Sequence, residues 1–257
     1  MMNNVQWVGF YTLLRRECYR FLSIPRQTVA GPLLETFLYI SVFGAALGSR
    51  ISQIGGVSYV VFIIPGLLLM SMIINCYANN SSSLAQQKML RSIDDQLASP
   101  VSNYSLLAAY TLGGFLRASL IVAIAFVTAS LMVHLPMAHA WIFILGLVFS
   151  GLFFASLGVL AGLIGQTNEQ ISSYQTFILQ PLIFLGGVFY SVALLPEPFK
   201  TLTHLNPIFY MINTVRFGMI GHSDANPYWS LLTIIAFTIA ITAFNARLFK
   251  RGYKLRT

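Results

Sequence analysis

Six apolar runs, each long enough to cross a hydrocarbon layer that takes about 20 apolar residues per helix, divide this chain at 28–48, 59–78, 106–133, 141–164, 171–190 and 228–249. The expected fold class is therefore an all-α polytopic membrane protein with six transmembrane helices, read as one transmembrane domain over 1–257. The composition agrees. The chain is 56% hydrophobic and 9% charged, whereas soluble domains carry about 25% charged residues.

An even number of spans puts both termini on one side, and the basic residues say which. Arg15, Arg16, Arg20 and Arg26 precede the first span, Lys88 and Arg91 lie between the second and third, and Arg247, Lys250, Arg251, Lys254 and Arg256 follow the sixth. The other side shows Arg50, Lys200 and Arg216. By the positive-inside rule the termini and the segment between spans two and three are expected to be cytoplasmic. The net charge of +8 would point to nucleic acid in a soluble chain; here it lies in flanks and loops, where it sets topology and meets anionic lipid, so nucleic acid is not an expected partner. Cys18 and Cys76 have neither metal-site nor disulfide spacing, and with Arg15, Arg16 and Arg20 ahead of the first span a cleavable signal is not expected.

Three segments outside the spans carry pattern. "QQKMLRSIDDQLASP" spaces Met89, Leu90, Ile93 and Leu97 along one helical arc, with Arg91, Asp94 and Asp95 elsewhere and Pro100 as a stop, which predicts an amphipathic helix over 86–99. A solvated linker with a chance moment fits the same letters. Over 5–25, Trp7, Phe10, Tyr11, Leu14, Cys18, Phe21 and Leu22 follow helical spacing with Arg16 and Arg20 opposite, as in a helix lying in the headgroup layer. Between spans five and six, Asn206 followed by Pro207 is a helix start and Gly221 a stop, while Pro198 opens a shorter helix. Two short apolar helices over 194–221 fit either an outer re-entrant hairpin or an interfacial loop.

These features, with "FLGGVFYSVALLPEPFKTLTHLNPIFYMINTVRFG" and its run of Gly186, Gly187, Phe189, Pro196, Asn206, Pro207 and Arg216, resemble the permease subunit of an ATP-binding-cassette exporter of the second type, as found among small bacterial inner-membrane permeases. The resemblance covers essentially the whole chain. It implies a homodimer bound to two copies of a separate cytoplasmic ATPase that carries ATP and Mg, with this chain itself no enzyme and holding no cofactor or metal. It implies a coupling helix at 86–99, with Met89, Leu90, Arg91, Ile93, Asp94, Asp95 and Leu97 meeting the ATPase. It also implies that the first and fifth spans part to admit substrate, with an outer gate at Asn206, Pro207 and Arg216.

Motif searches fit that division of labour. No G-x-x-x-x-G-K-[ST] phosphate loop, H-E-x-x-H or G-x-S-x-G occurs in the sequence. Ser173, Thr176 and Gln180 share a face of the fifth span, and Ser71, Asn75 and Asn79 recur on the second; such stripes either line a path or join helices. Gly151, Ala155, Gly158, Gly162 and Gly165 predict close approach of another helix to the fourth span. Glu35 and Arg117 lie about two turns into apolar sequence, where a charge is costly, and fit either a mutual ion pair or separate snorkelling. The substrate class that suits the aromatic content is amphipathic: lipid-like, drug or glycan-linked. The other functional classes are an ion- or proton-coupled secondary transporter, which calls for inverted repeats and more intramembrane charge, and a membrane-embedded hydrolase.

Overall fold

The computed structural model describes residues 2–46, 53–54 and 56–255. Residues 47 and 48 of the expected first span, together with Arg50 and Arg256, lie outside them. Helices α1 (Met2–Leu22) and α2 (Gly31–Ala46) are followed by a two-residue antiparallel hairpin, β1 (Gln53–Ile54) and β2 (Val57–Ser58), in which Gln53 pairs with Ser58. The remaining helices are α3 (Tyr59–Met89), α4 (Ser92–Ala98), α5 (Asn103–Met132), α6 (Ala140–Ile164), α7 (Asn168–Tyr174), α8 (Gln180–Leu185), α9 (Phe199–Leu205), α10 (Pro207–Ile220) and α11 (Pro227–Lys250). Four of these, α3, α5, α6 and α11, are long and apolar enough to cross a membrane.

The other two expected spans are built differently. A π-helical turn at Arg26–Ala30 leads into α2, and another at Gln175–Leu179 joins α7 to α8. Each turn ends two residues before a proline, Pro32 in one case and Pro181 in the other. Proline offers no amide to the carbonyl four residues back and its ring crowds that carbonyl; a widened turn relieves the clash. The kink expected at Pro181 is thus a π turn just ahead of it. The helical segment also begins and ends earlier than the expected 171–190, running from Asn168 to Leu185.

Side-chain caps set several boundaries. Ser102 accepts from the Ser105 amide at 3.1 Å, Thr167 from Gln170 at 3.2 Å and Asn226 from Tyr228 at 3.0 Å. Prolines 207 and 227 occupy first helical turns, where their missing amide costs nothing.

Helix α3 is the axis of the bundle, packed by α5, α6 and α10 around a core that includes Phe62, Leu68, Ile73, Phe154, Met211 and Val215. The glycine stripe of α6 permits this. A Cβ on Gly158 would sit 2.6 Å from the Tyr77 carbonyl oxygen, and one on Gly162 would sit 2.8 Å from that of Ser81. A second, smaller core joins Leu84, Ile93, Leu106, Tyr110, Leu163 and Phe249, where α3, α5, α6 and α11 meet α4.

Candidate functional site

Helix α4 is shorter than the predicted segment. Residues 86–89 belong to α3, and the chain turns at Leu90 and Arg91, the latter in the left-handed region with φ 54°. Asp94 and Asp95 lie in the first turn of α4, where a carboxylate meets the positive end of the helix dipole. The break splits the arc drawn from sequence. Ile93 is 2% exposed within the second core and Leu97 packs against it, whereas Met89 and Leu90 are 60% and 68% exposed. One hundred degrees per residue holds only along an unbroken helix, so the four apolar residues do not share a face. Ile93 and Leu97 seat α4 on its own bundle; Met89, Leu90, Arg91, Asp94 and Asp95 face outward.

Polar contacts fix this seat. Lys88 is buried and its Nζ donates to the carbonyls of Gly162, Leu163 and Gly165 at 3.3, 2.8 and 3.3 Å, capping the C-terminus of α6. Gln87 Oε1 accepts from Ser92 Oγ and, at 3.1 Å, from Gln96 Nε2. Gln96 Oε1 accepts from Tyr110 Oη at 2.9 Å, which ties α4 to α5.

The N-terminal helix joins the same network through its arginine side. Its exposed face carries Trp7, Val8, Tyr11 and Tyr19, while Arg16, Glu17 and Arg20 turn inward against α3 and α5. The arginine face thus meets the bundle, while the opposite face with Trp7 and Tyr11 is exposed. Glu17 is the reason. It is 1% exposed and accepts from Arg16 at 3.1 Å, from Arg20 Nε at 3.2 Å and from Ser83 Oγ at 2.7 Å. Arg16 also reaches Gln87 Oε1 and Tyr110 Oη, at 3.4 and 3.3 Å. Sequence reasoning passed over Glu17; its signal was an acidic residue flanked at i−1 and i+3 by arginines.

Glu35 and Arg117 do not meet as an ion pair. Arg117 Nη1 donates to Asn79 Oδ1 at 3.1 Å, and Arg20 Nη2 donates to the same oxygen at 2.8 Å. Glu35 instead lines a cavity of about 50 Å³ with Tyr39, Met70, Ile74 and Gln180. Ser173, Thr176 and Gln180 are all exposed on the chain. Asn79 and Asn80 join helices: Asn80 Nδ2 donates to the Ala155 carbonyl at 2.9 Å and Asn79 Nδ2 to Asn80 Oδ1 at 3.2 Å.

At the opposite end, Asn206 caps α10 through Ile208 at 3.0 Å and donates to the Leu182 carbonyl at 2.6 Å, while Gly221 ends the helix with φ 73°. Arg216 is 2% exposed; its Nη2 donates to the Gly187 carbonyl at 2.6 Å and its guanidinium lies 4.0 Å over the Phe62 ring. Gly187 turns that carbonyl inward with φ 88°, a conformation that favours glycine. Asp224, absent from the sequence-based candidates, lies 3.8 Å from Arg216 Nη1 and accepts from Ser191 Oγ at 2.5 Å and the Val192 amide at 3.1 Å.

Comparison with known proteins places this architecture. The family model described as ABC-2 type transporter matches residues 8–220. The chain is 39% identical over 258 residues, with both chains fully covered, to proteins of Escherichia coli (strain K12) and Shigella flexneri named inner membrane transport permease YadH. It is 25% identical over 220 residues to nodulation protein J of Neorhizobium galegae, covering 85% of this chain and 82% of that protein. With a family match over most of its length and a full-length relative, this chain belongs to the ABC-2 type transporter family, as a membrane component of its transport permeases.

Proposed function

We propose that the chain is the membrane-spanning permease of an ATP-driven exporter in a bacterial inner membrane, homodimeric, with two copies of a cytoplasmic ATPase holding ATP and Mg. The observation that carries this reading is α4. A seven-residue helix held by Ile93 on its own bundle, with Asp94 and Asp95 outward and with Met89 and Leu90 exposed on the turn that precedes it, is a docking element and no solvated linker. A buried Lys88 and the Gln87, Gln96 and Tyr110 bonds make it move with α3, α5 and α6.

In this reading α2 and the α7–α8 segment are the first and fifth of six spans, both termini and α4 are cytoplasmic, and 194–221 forms an outer hairpin. ATP-driven closure of the ATPase pair displaces α4. The displacement reaches α2 through α1, which Glu17 fastens to α3. Prolines 32 and 181 with their π turns give α2 and α7–α8 the hinges at which they part. Ser173, Thr176 and Gln180 then face the path, the substrate is amphipathic, lipid-like or glycan-bearing, and the element bearing Asn206, Pro207 and Arg216 gates exit.

The test is co-purification with a cassette ATPase encoded nearby. The isolated chain is expected to show no ATP turnover, and Met89→Ala with Leu90→Ala is expected to lose the ATPase while remaining folded. Full retention of the ATPase by that pair of substitutions, or protease access to α4 only from outside the cell, would refute the reading.

A further inference from the structure

Three guanidinium groups gather where α1 meets α3 and α5, two of them on one carboxylate and the third on a neutral amide. Glu17 accepts from Arg16 and Arg20, and Asn79 Oδ1 accepts from both Arg20 and Arg117, at 2.8 and 3.1 Å. Two guanidinium groups therefore share one neutral oxygen. Among the described residues Arg117 has no carboxylate of its own. The chain holds seven Asp and Glu residues: Glu17 is taken by Arg16 and Arg20, Glu35 lines the cavity with Gln180, Asp224 faces Arg216, and Asp94, Asp95, Glu169 and Glu197 are exposed elsewhere. Arg117 Nε is buried and, among the described residues, donates to nothing.

The position of the cluster identifies what is missing. Asn79 lies about 20 residues along α3 from Tyr59, roughly 30 Å at 1.5 Å per residue, which is the thickness of a bilayer's hydrocarbon. Arg20, two residues before the end of α1, is at the same level. With α3 entering the hydrocarbon at Tyr59, the cluster would sit at the level of the lipid phosphates on the other face. An uncompensated guanidinium withdrawn from water is costly, and its planar fork matches phosphate oxygens.

We propose that Arg20, Arg117 and Asn79 form a binding site for a phosphate group, such as the headgroup of an anionic phospholipid. The site is independent of the ATPase-docking role assigned to α4. A bound phosphate would supply the counter-charge that the chain withholds from Arg117 and would pin the joint between α1, α3 and α5.

The test uses the purified full chain in detergent, with melting temperature read after adding phosphatidylglycerol, phosphatidylcholine, or inorganic phosphate at matched ionic strength. Phosphatidylglycerol is expected to raise the wild-type value about 2–4 °C above that in phosphatidylcholine. Arg15→Gln, on the exposed side of α1 and bonded only to Tyr19, is expected to keep the shift. Arg117→Gln is expected to lose at least half of it while melting no lower than wild type in phosphatidylcholine. Arg117→Lys, which keeps charge and fold but lacks the fork, is expected to fall between. A shift produced equally by inorganic phosphate would make free phosphate the source, whereas a shift confined to phosphatidylglycerol makes it the headgroup. Equal melting in the two lipids, or a full shift in both Arg117 variants, would overturn the site.

Discussion

The carboxylate of Glu17 accepts a 2.7 Å hydrogen bond from Ser83 Oγ, joining the N-terminal helix to the C-terminal part of α3 across 66 residues of sequence. Both partners are buried, and Gly113 of α5 lies directly beneath: a Cβ there would come 2.7 Å from the Glu17 Cβ. Removing the carboxylate leaves Arg16, Arg20 and Ser83 without their common acceptor. Glu17→Ala is expected to destabilise the protein by about 3 kcal/mol, as for a broken buried pair, and Ser83→Ala by about 1 kcal/mol, as for a single hydrogen bond. Thermal unfolding in detergent measures both, and an unchanged melting point for Glu17→Ala would remove the latch.

Helix α4 separates stability from docking. Ile93 fills the second core, so Ile93→Ala is expected to cost about 2–5 kcal/mol through the cavity it leaves, with ATPase binding lost only as the fold loosens. Met89 and Leu90 are exposed, so their alanine variants are expected to leave the melting point within about 0.5 kcal/mol of wild type and to abolish ATPase capture. Asp94→Asn with Asp95→Asn is expected to alter the salt dependence of association more than its strength, as rim charges do. Melting curves and pull-downs across a salt series, run on the same preparations, separate the three.

Arg117 supplies a double-mutant test. Its Nη1 contacts Asn79 and not Glu35. Asn79→Ala and Arg117→Gln are expected to be non-additive by at least about 0.5 kcal/mol, whereas Glu35→Gln and Arg117→Gln are expected to add within about 0.3–0.5 kcal/mol. Coupling of the second pair would show that the two residues meet in the membrane.

Much of this was legible in the letters, and the parts that were not have a common cause. Asn206–Pro207 and Gly221 encode a cap, a first turn and a left-handed stop within a few residues, and the structure uses all three. The glycines of α6 encoded a close contact because small side chains at alternating four- and three-residue spacing leave one face bare. The faces of α4 were not legible, because the arc depended on helix continuity and the left-handed residue that breaks it is an arginine, which carries no turn signal. Glu17 was passed over in the sequence, because its burial depends on Ser83 and Gly113, which come from other helices. The same holds for Asp224, a loop residue whose partners are Ser191, Val192 and Arg216.

Packing between α3 and α6 is expected to tolerate nothing larger than glycine at its closest points. Gly158→Ala forces a methyl to within 2.6 Å of the Tyr77 carbonyl, which is backbone and cannot rotate away. The expected cost is about 1–3 kcal/mol for overpacking, and Gly158→Leu is expected to prevent folding. Gly31→Ala is the matched control, since a Cβ there meets nothing within 4 Å. Equal yields and melting points for the alanine variants at 158 and 31 would contradict the close approach.

Asp224 and Arg216 make the last prediction, because the two partners of one buried contact are expected to behave differently when removed. Arg216 is sealed beneath Phe62 with the carbonyls of Gly187 and Val188 as its other partners, and its Nε donates to nothing among the described residues. Asp224 has more company: Ser191 Oγ, the Val192 amide and His222 Nε2, the last at 3.6 Å, all face it. Asp224→Ala therefore strands a buried positive charge and frees the 187–192 turn from the α10–α11 connection, at an expected cost of about 3–5 kcal/mol. Arg216→Met leaves a carboxylate that keeps its two hydrogen bonds and places a thioether against an aromatic ring, so its expected cost is smaller. Replacing both at once removes the charge imbalance, and the double variant is expected to be more stable than Asp224→Ala alone. Melting points of the three variants decide the order, and if Arg216→Met proved the most damaging of them, this end of the bundle would be held by the arginine's packing and not by the aspartate.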